Sequence, residues 1–341
     1  MRRASSAGLG TPACVRPLIG SQRTVRHPFR RARRYSSQIL GQRVEGTGAL
    51  GALARTWGWQ LWRRTVRRPV VIRCAEGSLL IAQSNSRVAG VIAGTGLTER
   101  DDALFVLDLL RAGDLFVDVG ANIGFYTILA ARRGARVMAY EPGPAAWQSC
   151  SANVALNDVG ALATVHRAAC AAEPGVARFT VGLDISDHLI DGDEGGIEVP
   201  VTTLDAALSP QPRAPLSVFK IDAEGHDKDV LIGACSTLER LRPVILVEVW
   251  MGGRDVRELL EPLGYRPYSY DPCSRRLASG HSPARNMLLI ADAELSTVEQ
   301  RLATAERPAL HPASIKAWRD QARVRRGRSP TASPGRGRGI R

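Results

Sequence analysis

Asp118, Gly120, Asn122 and Gly124 interrupt the apolar passage FVDVGANIGFYTILAARRG, where a buried strand should hand over to a helix. An acid in such a strand is costly unless something pairs with it. Glycines at the turn let backbone approach a ligand closely, and the start of the helix offers unpaired N–H groups. In the next strand AYEP brings Glu141 to the end, 21 residues after Gly120, where a carboxylate can accept hydrogen bonds from both hydroxyls of a ribose. The turn reads G-A-N-I-G and lacks the second glycine of G-x-G-x-x-G that admits a pyrophosphate. Asp118 would repel a diphosphate but can pair with an amino group. A cofactor with a ribose, an amine and no phosphate is S-adenosyl-L-methionine, and Asp118, Gly120, Asn122, Gly124 and Glu141 are expected to bind it. The plain alternative is a turn of this kind that holds no ligand.

A second constellation lies in SVFKIDAEGHDKDVLIGACSTLERLRPVILVEVW, residues 217–250. Alternation along SVFKID places Val218, Lys220 and Asp222 on one face. Asp222 emerges at the carboxyl end, Glu224 follows in the turn, and VILVEV delivers Glu248 at the end of its own strand. If the cofactor's methyl passes to a hydroxyl by in-line displacement, a base must hold the oxygen against the methyl carbon and take its proton. Asp222, Glu224, Glu248 or His226 could be that base. Blander roles are open to each: Lys220 could form a buried ion pair with Asp222 and Glu248, and His226 could be an exposed helix-start residue. Three acids could also hold a divalent cation, but no spacing here requires one and no metal is expected.

These residues need a frame. The runs LFVDV, RVMAY, ATVHRA, SVFKID, VILVEV and NMLLIA each read as a buried strand, and segments of helical period such as PAAWQSCSANVALN separate most of them. Strand alternating with helix predicts an α/β doubly wound sheet, mostly parallel, with ligands beyond the carboxyl ends of its strands. SLLIAQ and a helix at DDALFVLDLLR form a small β/α preamble. The stretch 171–204 breaks the alternation with an extra hairpin and the loop DISDHLIDGDEGG. Loops 171–200 and 252–285 are expected to contact the substrate.

FVDVGANIGFYT, YEPGPAAWQSCSANVALN, VTTLDAAL and the 217–250 stretch, in that order and at these spacings, resemble the FkbM-type family of S-adenosylmethionine-dependent methyltransferases. The likeness covers roughly 115–250, with a looser echo through NMLLIA. It implies a class I methyltransferase (Rossmann-like) fold, a seven-stranded sheet with an antiparallel last strand, and methyl transfer, usually to a hydroxyl of a sugar or secondary metabolite. Asp227 departs from the pattern, since the family more often has Glu there; the shorter acid should shift a salt bridge.

Charge and composition bound the rest. The 341-residue chain has a formal charge of +13, but residues 1–73 carry 16 Arg against Glu45 alone, and 307–341 carry nine Arg and Lys316 against Asp320. Residues 74–306 are therefore net −11, which disfavours nucleic acid as a partner. Only three of the 46 basic residues are Lys, so Arg richness pervades the chain and says less about the tails than usual. The expected organisation is a disordered basic tail at 1–44, a helix and strand preamble at 45–114, the methyltransferase domain at 115–295 and a second basic tail at 307–341. Six scattered cysteines without a C-x-x-C pair read as free thiols. With no secretory signal and no membrane-span run, a cytoplasmic protein is expected. The Trp-Arg stretch Trp57–Arg68 could touch an anionic membrane surface weakly, although packing on the neighbouring domain is the favoured reading. The expected partner is a small hydroxylated substrate. The competing readings are a nucleic-acid methyltransferase using the basic tails, disfavoured by DAEG where base methylation uses an Asn/Asp-Pro-Pro-aromatic turn, and a scaffold protein with a vestigial cofactor site.

Overall fold

Each apolar run of the central region becomes a strand, and the sequence order of the strands differs from their order in space. A computed structural model describes residues 49–65, 68–83, 86–180, 188–190, 196–209, 211–249, 253–280, 285–306, 308 and 314–316. Helix α1 (Ala49–Thr65) leads into β1 (Val70–Arg73), β2 (Leu79–Ala82), α2 (Arg87–Thr95) and α3 (Arg100–Leu109). Then follow β3 (Leu115–Val119), α4 (Phe125–Arg132), β4 (Arg136–Tyr140), α5 (Pro144–Leu156), β5 (Ala163–His166), β6 (Ala169–Cys170), β7 (Gly175–Phe179), β8 (Leu189–Ile190) and β9 (Ile197–Thr202). The carboxyl half holds α6 (Leu204–Leu208), β10 (Ser217–Ile221), α7 (Asp227–Ile232), α8 (Cys235–Leu241), β11 (Val244–Glu248), α9 (Arg254–Leu260), β12 (Tyr265–Asp271), β13 (Arg276–Ser279), β14 (Asn286–Ala291), α10 (Leu295–Ala303) and β15 (Ser314–Lys316).

The main sheet has the order β13-β12-β14-β11-β10-β3-β4-β5. Pairing is parallel from β11 through β10, β3 and β4 to β5, and antiparallel where β14 lies between β11 and β12. The doubly wound, mostly parallel architecture with an antiparallel last strand is thus present. The sheet has eight strands rather than seven, because β13 folds back on β12 as an antiparallel hairpin. Asp271 seeds that hairpin: its carboxylate accepts the N–H groups of Cys273 and Ser274 at 3.0 and 3.3 Å.

Strands buried on both faces alternate two cores. Leu115, Val117, Phe219, Ile221, Ile245 and Val247 point into the layer covered by α6 to α9. Phe116, Val218, Val244, Leu246, Leu288 and Ile290 point into the other, covered by α3, α4 and α10. The same period of two carries Asp118, Lys220, Glu248 and Asn286 onto this second face at the strand ends. Lys220 lies opposite Asp118, and Asn286 opposite Glu248.

The extra hairpin expected in 171–204 is β7 with β9, extended by β8 and by β6 on the other side of β9. Most of DISDHLIDGDEGG lies outside the described residues. In the preamble, β1 and β2 make a small sheet whose other edge is β15, so three residues of the carboxyl-terminal region read as a tail pair with β1. Asn153 of α5 and Asn157, which caps its carboxyl end, tie this preamble down: Asn157 accepts from Leu79 N–H at 2.8 Å and Asn153 from Ile81 N–H at 2.6 Å.

Helix α1 carries the Trp stretch. Trp59 is fully buried and stacks on the partly buried Trp62 with ring centroids 5.6 Å apart, while Trp57 is 47% exposed. Packing therefore takes up Trp59 and Trp62; Val66 lies outside the described residues. Residues 1–44 also lie outside them, as does Cys14, and the five described cysteines are free thiols. No helix among the described residues is long and apolar enough to cross a membrane.

Candidate active site

The β3–α4 turn shows what its unusual residues do. Gly120 has φ +76°, and a Cβ there would sit 1.9 Å from the carbonyl oxygen of Asp222. Gly124 begins α4 at φ +81°, and a Cβ would meet Cys150 Sγ at 2.6 Å. Both positions thus require glycine for close approach of protein to protein: the end of β10 beside Gly120, α5 beside Gly124. Asn122, at φ +51°, donates its backbone N–H to Glu141 Oε2 at 2.8 Å, and Glu141 Oε1 accepts from Gly143 N–H at 2.8 Å. Glu141 is only 6% exposed, so the backbone fixes its carboxylate beside the turn. Asn153, also on α5, donates to Ile123 O at 2.9 Å and steadies the same turn.

Asp118 is 1% exposed and accepts the hydroxyl of Thr127 at 2.6 Å. Burial pushes its carboxyl up from the ordinary range, opposed by the charge of Lys220 and by Thr127. Its side chain ties β3 to α4, so its influence on a cationic ligand is through its field. Next to Glu141, His166 stacks on Tyr140 with centroids 4.9 Å apart and planes at 15°. His166 Nε2 is buried and has no hydrogen-bond partner among the described residues. The sequence reading passed over this aromatic pair, whose only signal was two flat side chains at adjacent strand ends.

Across the sheet the three predicted acids do come together: Asp222, Glu224 and Glu248 bring one oxygen each to within 4.8 Å of one another. Asp222 Oδ2 is held by Lys220 Nζ at 2.9 Å. Burial opposes the charge of both partners, yet Asp222, Glu99 and Asp118 hold Lys220 above the ordinary lysine range, and Lys220 holds Asp222 below the ordinary carboxylate range. Glu248 is 2% exposed and bonded to Arg285 Nε. Burial, with Asp222 beside it, raises its carboxyl, so of the two Glu248 is the one that keeps a proton. Glu224 sits at φ +47° with its side chain 22% exposed and 3.5 Å from Arg285 Nη2. Burial and the charge of Asp222 push it up as well. The Asp222 and Glu248 carboxyls hydrogen-bond to one another, which accounts for their buried oxygens.

His226 stands apart from this group. It occupies the N-cap position of α7 and its Nδ1 lies 3.4 Å from Asp229. Asp227 forms no described salt bridge; it accepts the N–H groups of Ala223 and Gly225 at 2.8 and 3.2 Å and so fastens the turn that carries Glu224. A shorter acid suits that task.

Five participants, Arg285, Asp102, Asn286, Glu99 and Tyr126, escaped the sequence reading. Arg285, 52% exposed in its side chain, bridges Glu224 and Glu248. From α3, Asp102 accepts from Asn286 Nδ2 at 2.8 Å, and Glu99 accepts from the hydroxyl of Tyr126 at 2.9 Å. Lys220 Nζ lies 5.1 Å from the centre of the Tyr126 ring. Only the need of three clustered acids for counter-charge could have pointed to Arg285, and only the acids opening α3 to Glu99 and Asp102.

Residues 118–267 match the family model of the methyltransferase FkbM domain. A search among curated proteins found no relative of the chain. Among solved structures, a methyltransferase FkbM from Methylobacillus flagellatus is similar over 70% of this chain at 17% identity and a TM-score of 0.38, and the chain spans 60% of that protein's length. A precorrin 8W decarboxylase from Methanobacterium thermoautotrophicum is similar over 57% of this chain and 90% of its own, at 18% identity and a TM-score of 0.33. A precorrin-6y C5,15-methyltransferase from Geobacter metallireducens is similar over 57% of this chain and 88% of its own, at 13% identity and a TM-score of 0.34.

Proposed function

Residues 118–267 of this chain form a methyltransferase FkbM domain, and from that premise we propose that the protein is an S-adenosyl-L-methionine-dependent O-methyltransferase acting on a hydroxyl of a sugar, glycan or secondary metabolite. The observation that carries the reading is the excess of acidic over basic groups at this end of the sheet, some of the acids protonated. Glu99, Asp102, Asp118, Asp222, Glu224 and Glu248 share Lys220 and Arg285 as counter-charges. Such a site favours a cofactor bearing a sulfonium and an ammonium and disfavours one bearing phosphates.

The residues fit the cofactor. The Glu141 carboxylate is fixed beside the turn, where a ribose would lie, and the N–H groups opening α4 lie at the same end of the sheet. When bound, the cofactor supplies an electrophilic methyl group. The chain's own residues must then orient the acceptor hydroxyl and receive its proton. Asp222, kept ionised by Lys220, accepts a hydrogen bond from the hydroxyl and aims its oxygen. Glu224, partly exposed and raised above the ordinary range, is better matched to taking the proton, an effect worth about 10² to 10⁴ in rate. Adjacent carboxylates can hold two neighbouring hydroxyls, which suits a sugar better than a lone phenol.

Calorimetry with S-adenosylhomocysteine tests the premise. Binding is expected, and Glu141→Ala should weaken it about tenfold or more, since hydrogen bonds to a charged group contribute about 1.5 to 3 kcal/mol each. Tight NAD binding with no response to S-adenosylhomocysteine would refute the reading. A product carrying its new methyl on nitrogen or carbon would refute its O-directed part.

A further inference from the structure

Helix α1 has two unlike sides. On one, Trp59 is fully buried, Thr56 is 1% exposed, and Arg55 donates to Gly94 O of α2 through Nε and Nη2 at 3.3 and 3.2 Å. On the other, Leu50, Trp57 and Leu61 are 84, 47 and 66% exposed. At about 100° per residue these three lie within about 40° of one another, and the exposed Arg64 extends the same stripe by one turn. Among the described residues only two other large apolar side chains stand exposed, Val176 on β7 and Ile232 on α7. Single apolar residues on a surface need no partner, but three in one stripe of one helix mark a contact face. We propose that this stripe docks on an anionic lipid surface, a role separate from the methyl-transfer chemistry proposed above.

Charge decides among the occupants such a face could take. The helix carries Arg55, Arg63 and Arg64 and no acid, and Arg67 and Arg68 follow it in the chain. A second copy of the protein would set this basic face against itself. Residues 1–48 hold ten Arg against Glu45 alone, so the chain's own amino-terminal stretch is repelled as well. What the face attracts is an acidic surface. Nucleic acid is acidic too, but two leucines and a tryptophan gain most by entering an apolar layer behind the charges. A bilayer with anionic headgroups supplies both: the acyl boundary receives Leu50, Trp57 and Leu61, and the headgroups meet Arg64 and Arg68, which are exposed. This is not the face of Trp59 and Trp62, which packing takes up.

Co-sedimentation of the full chain with lipid vesicles tests the proposal, with melting temperatures measured on the same samples. Vesicles of phosphatidylcholine and phosphatidylserine in equal parts should bind the chain. Vesicles of phosphatidylcholine alone should bind it about tenfold less or weaker still, and added salt should narrow the difference. Replacing Leu50→Gln, Trp57→Gln and Leu61→Gln together should weaken binding to the anionic vesicles about tenfold or more, while the melting temperature stays within a few degrees because these side chains face outward. Arg64→Gln should weaken it about fivefold. If the anionic vesicles hold the triple variant as well as the parent, the basic stretches alone bind lipid and the stripe is refuted. It is refuted equally if the parent binds no vesicle, or if the triple variant melts far below the parent, which would mean that the three side chains are packed. A triple variant that loses a DNA duplex but keeps the vesicles would give the face to nucleic acid, and one that turns a dimeric parent into a monomer would give it to a second copy; either result overturns the proposal.

Discussion

With Glu248 carrying the proton and Asp222 ionised against Lys220, isosteric replacement of the two should have unequal outcomes. Gln at 248 mimics the protonated acid, so Glu248→Gln should keep the melting temperature within a few degrees. Asn at 222 removes the charge bonded to the buried Lys220 and leaves only Glu99 and Asp118 to offset it, a loss of about 1 to 3 kcal/mol. Asp222→Asn should therefore lower both stability and turnover. Equal melting temperatures for the two variants would contradict this assignment of the proton. Asp102 provides a pH test. Burial, with Glu99 adding to it and Asn286 and Lys220 opposing, pushes its carboxyl up to about 7. Between an unfolded value of about 3.9 and that folded value, the folded chain holds a proton that the unfolded chain has lost. Stability from this group is hence full below pH ~4, falls as pH rises toward 7, and levels off above it. The span is on the order of 2 to 4 kcal/mol, toward the lower end because the side chain keeps some solvent contact. Asp102→Asn should flatten that slope and raise the melting temperature at pH 8 relative to the parent chain, as thermal melts at pH 5 and 8 would show. The acids at 222, 224 and 248 were legible because alternation along a strand is a local rule. Arg285 and Asp102 were not, since nothing near them in the chain says that they meet a strand end 37 residues before or an asparagine 184 residues after.

At the scale of elements, the strand-to-helix junction binds more of the structure than its length suggests. Gly120 abuts the last carbonyl of the β10 end, Gly124 abuts α5, and Asn122 and Gly143 hold Glu141. A methyl at position 120 would need φ +76° and a contact of 1.9 Å with Asp222 O. Gly120→Ala should cost about 3 kcal/mol or more and abolish S-adenosylhomocysteine binding, because Asp222 and the turn would have to separate. A variant that melts and binds like the parent would mean that the junction yields more than this packing allows. The order of strands and helices could be read from periodicity, since apolar runs of four to six residues recur between amphipathic ones. Strand β13 could not. RLAS is short and polar, and what makes it a strand is the Asp271 turn, which brings it against β12. In α1 the apolar spacing was visible, but which side of the helix is buried depends on α2, a segment whose sequence carries no label for its partner.

The whole molecule divides by charge: residues 74–306 are net −11 while the flanking stretches are strongly basic. The acidic part holds every residue of the candidate site, so the basic ends are expected to be dispensable for cofactor binding. They are not wholly separate from the fold, however. The backbone of Ser314–Lys316 pairs with Val71–Arg73 of β1, and β1 in turn supplies Val70 and Ile72 to the core that lies beside α1 and α5. A chain of residues 45–320 should therefore melt like the full chain and bind S-adenosylhomocysteine with unchanged affinity. One of residues 45–306 loses the edge strand and exposes the N–H and C=O groups of β1 that it covered. Cross-strand pairing contributes about 0.2 to 1 kcal/mol per pair, and three pairs are lost. The shorter chain should melt a few degrees lower, about 2 to 4 °C for each kcal/mol in a domain of this size. Its cofactor affinity should still match, because the route from β1 to the turn runs through Asn153 of α5 and Asn157 at its carboxyl end, both of which remain. Differential scanning fluorimetry with and without S-adenosylhomocysteine checks both statements. A shorter chain that folds but no longer binds would place the basic end within the site and overturn the division by charge.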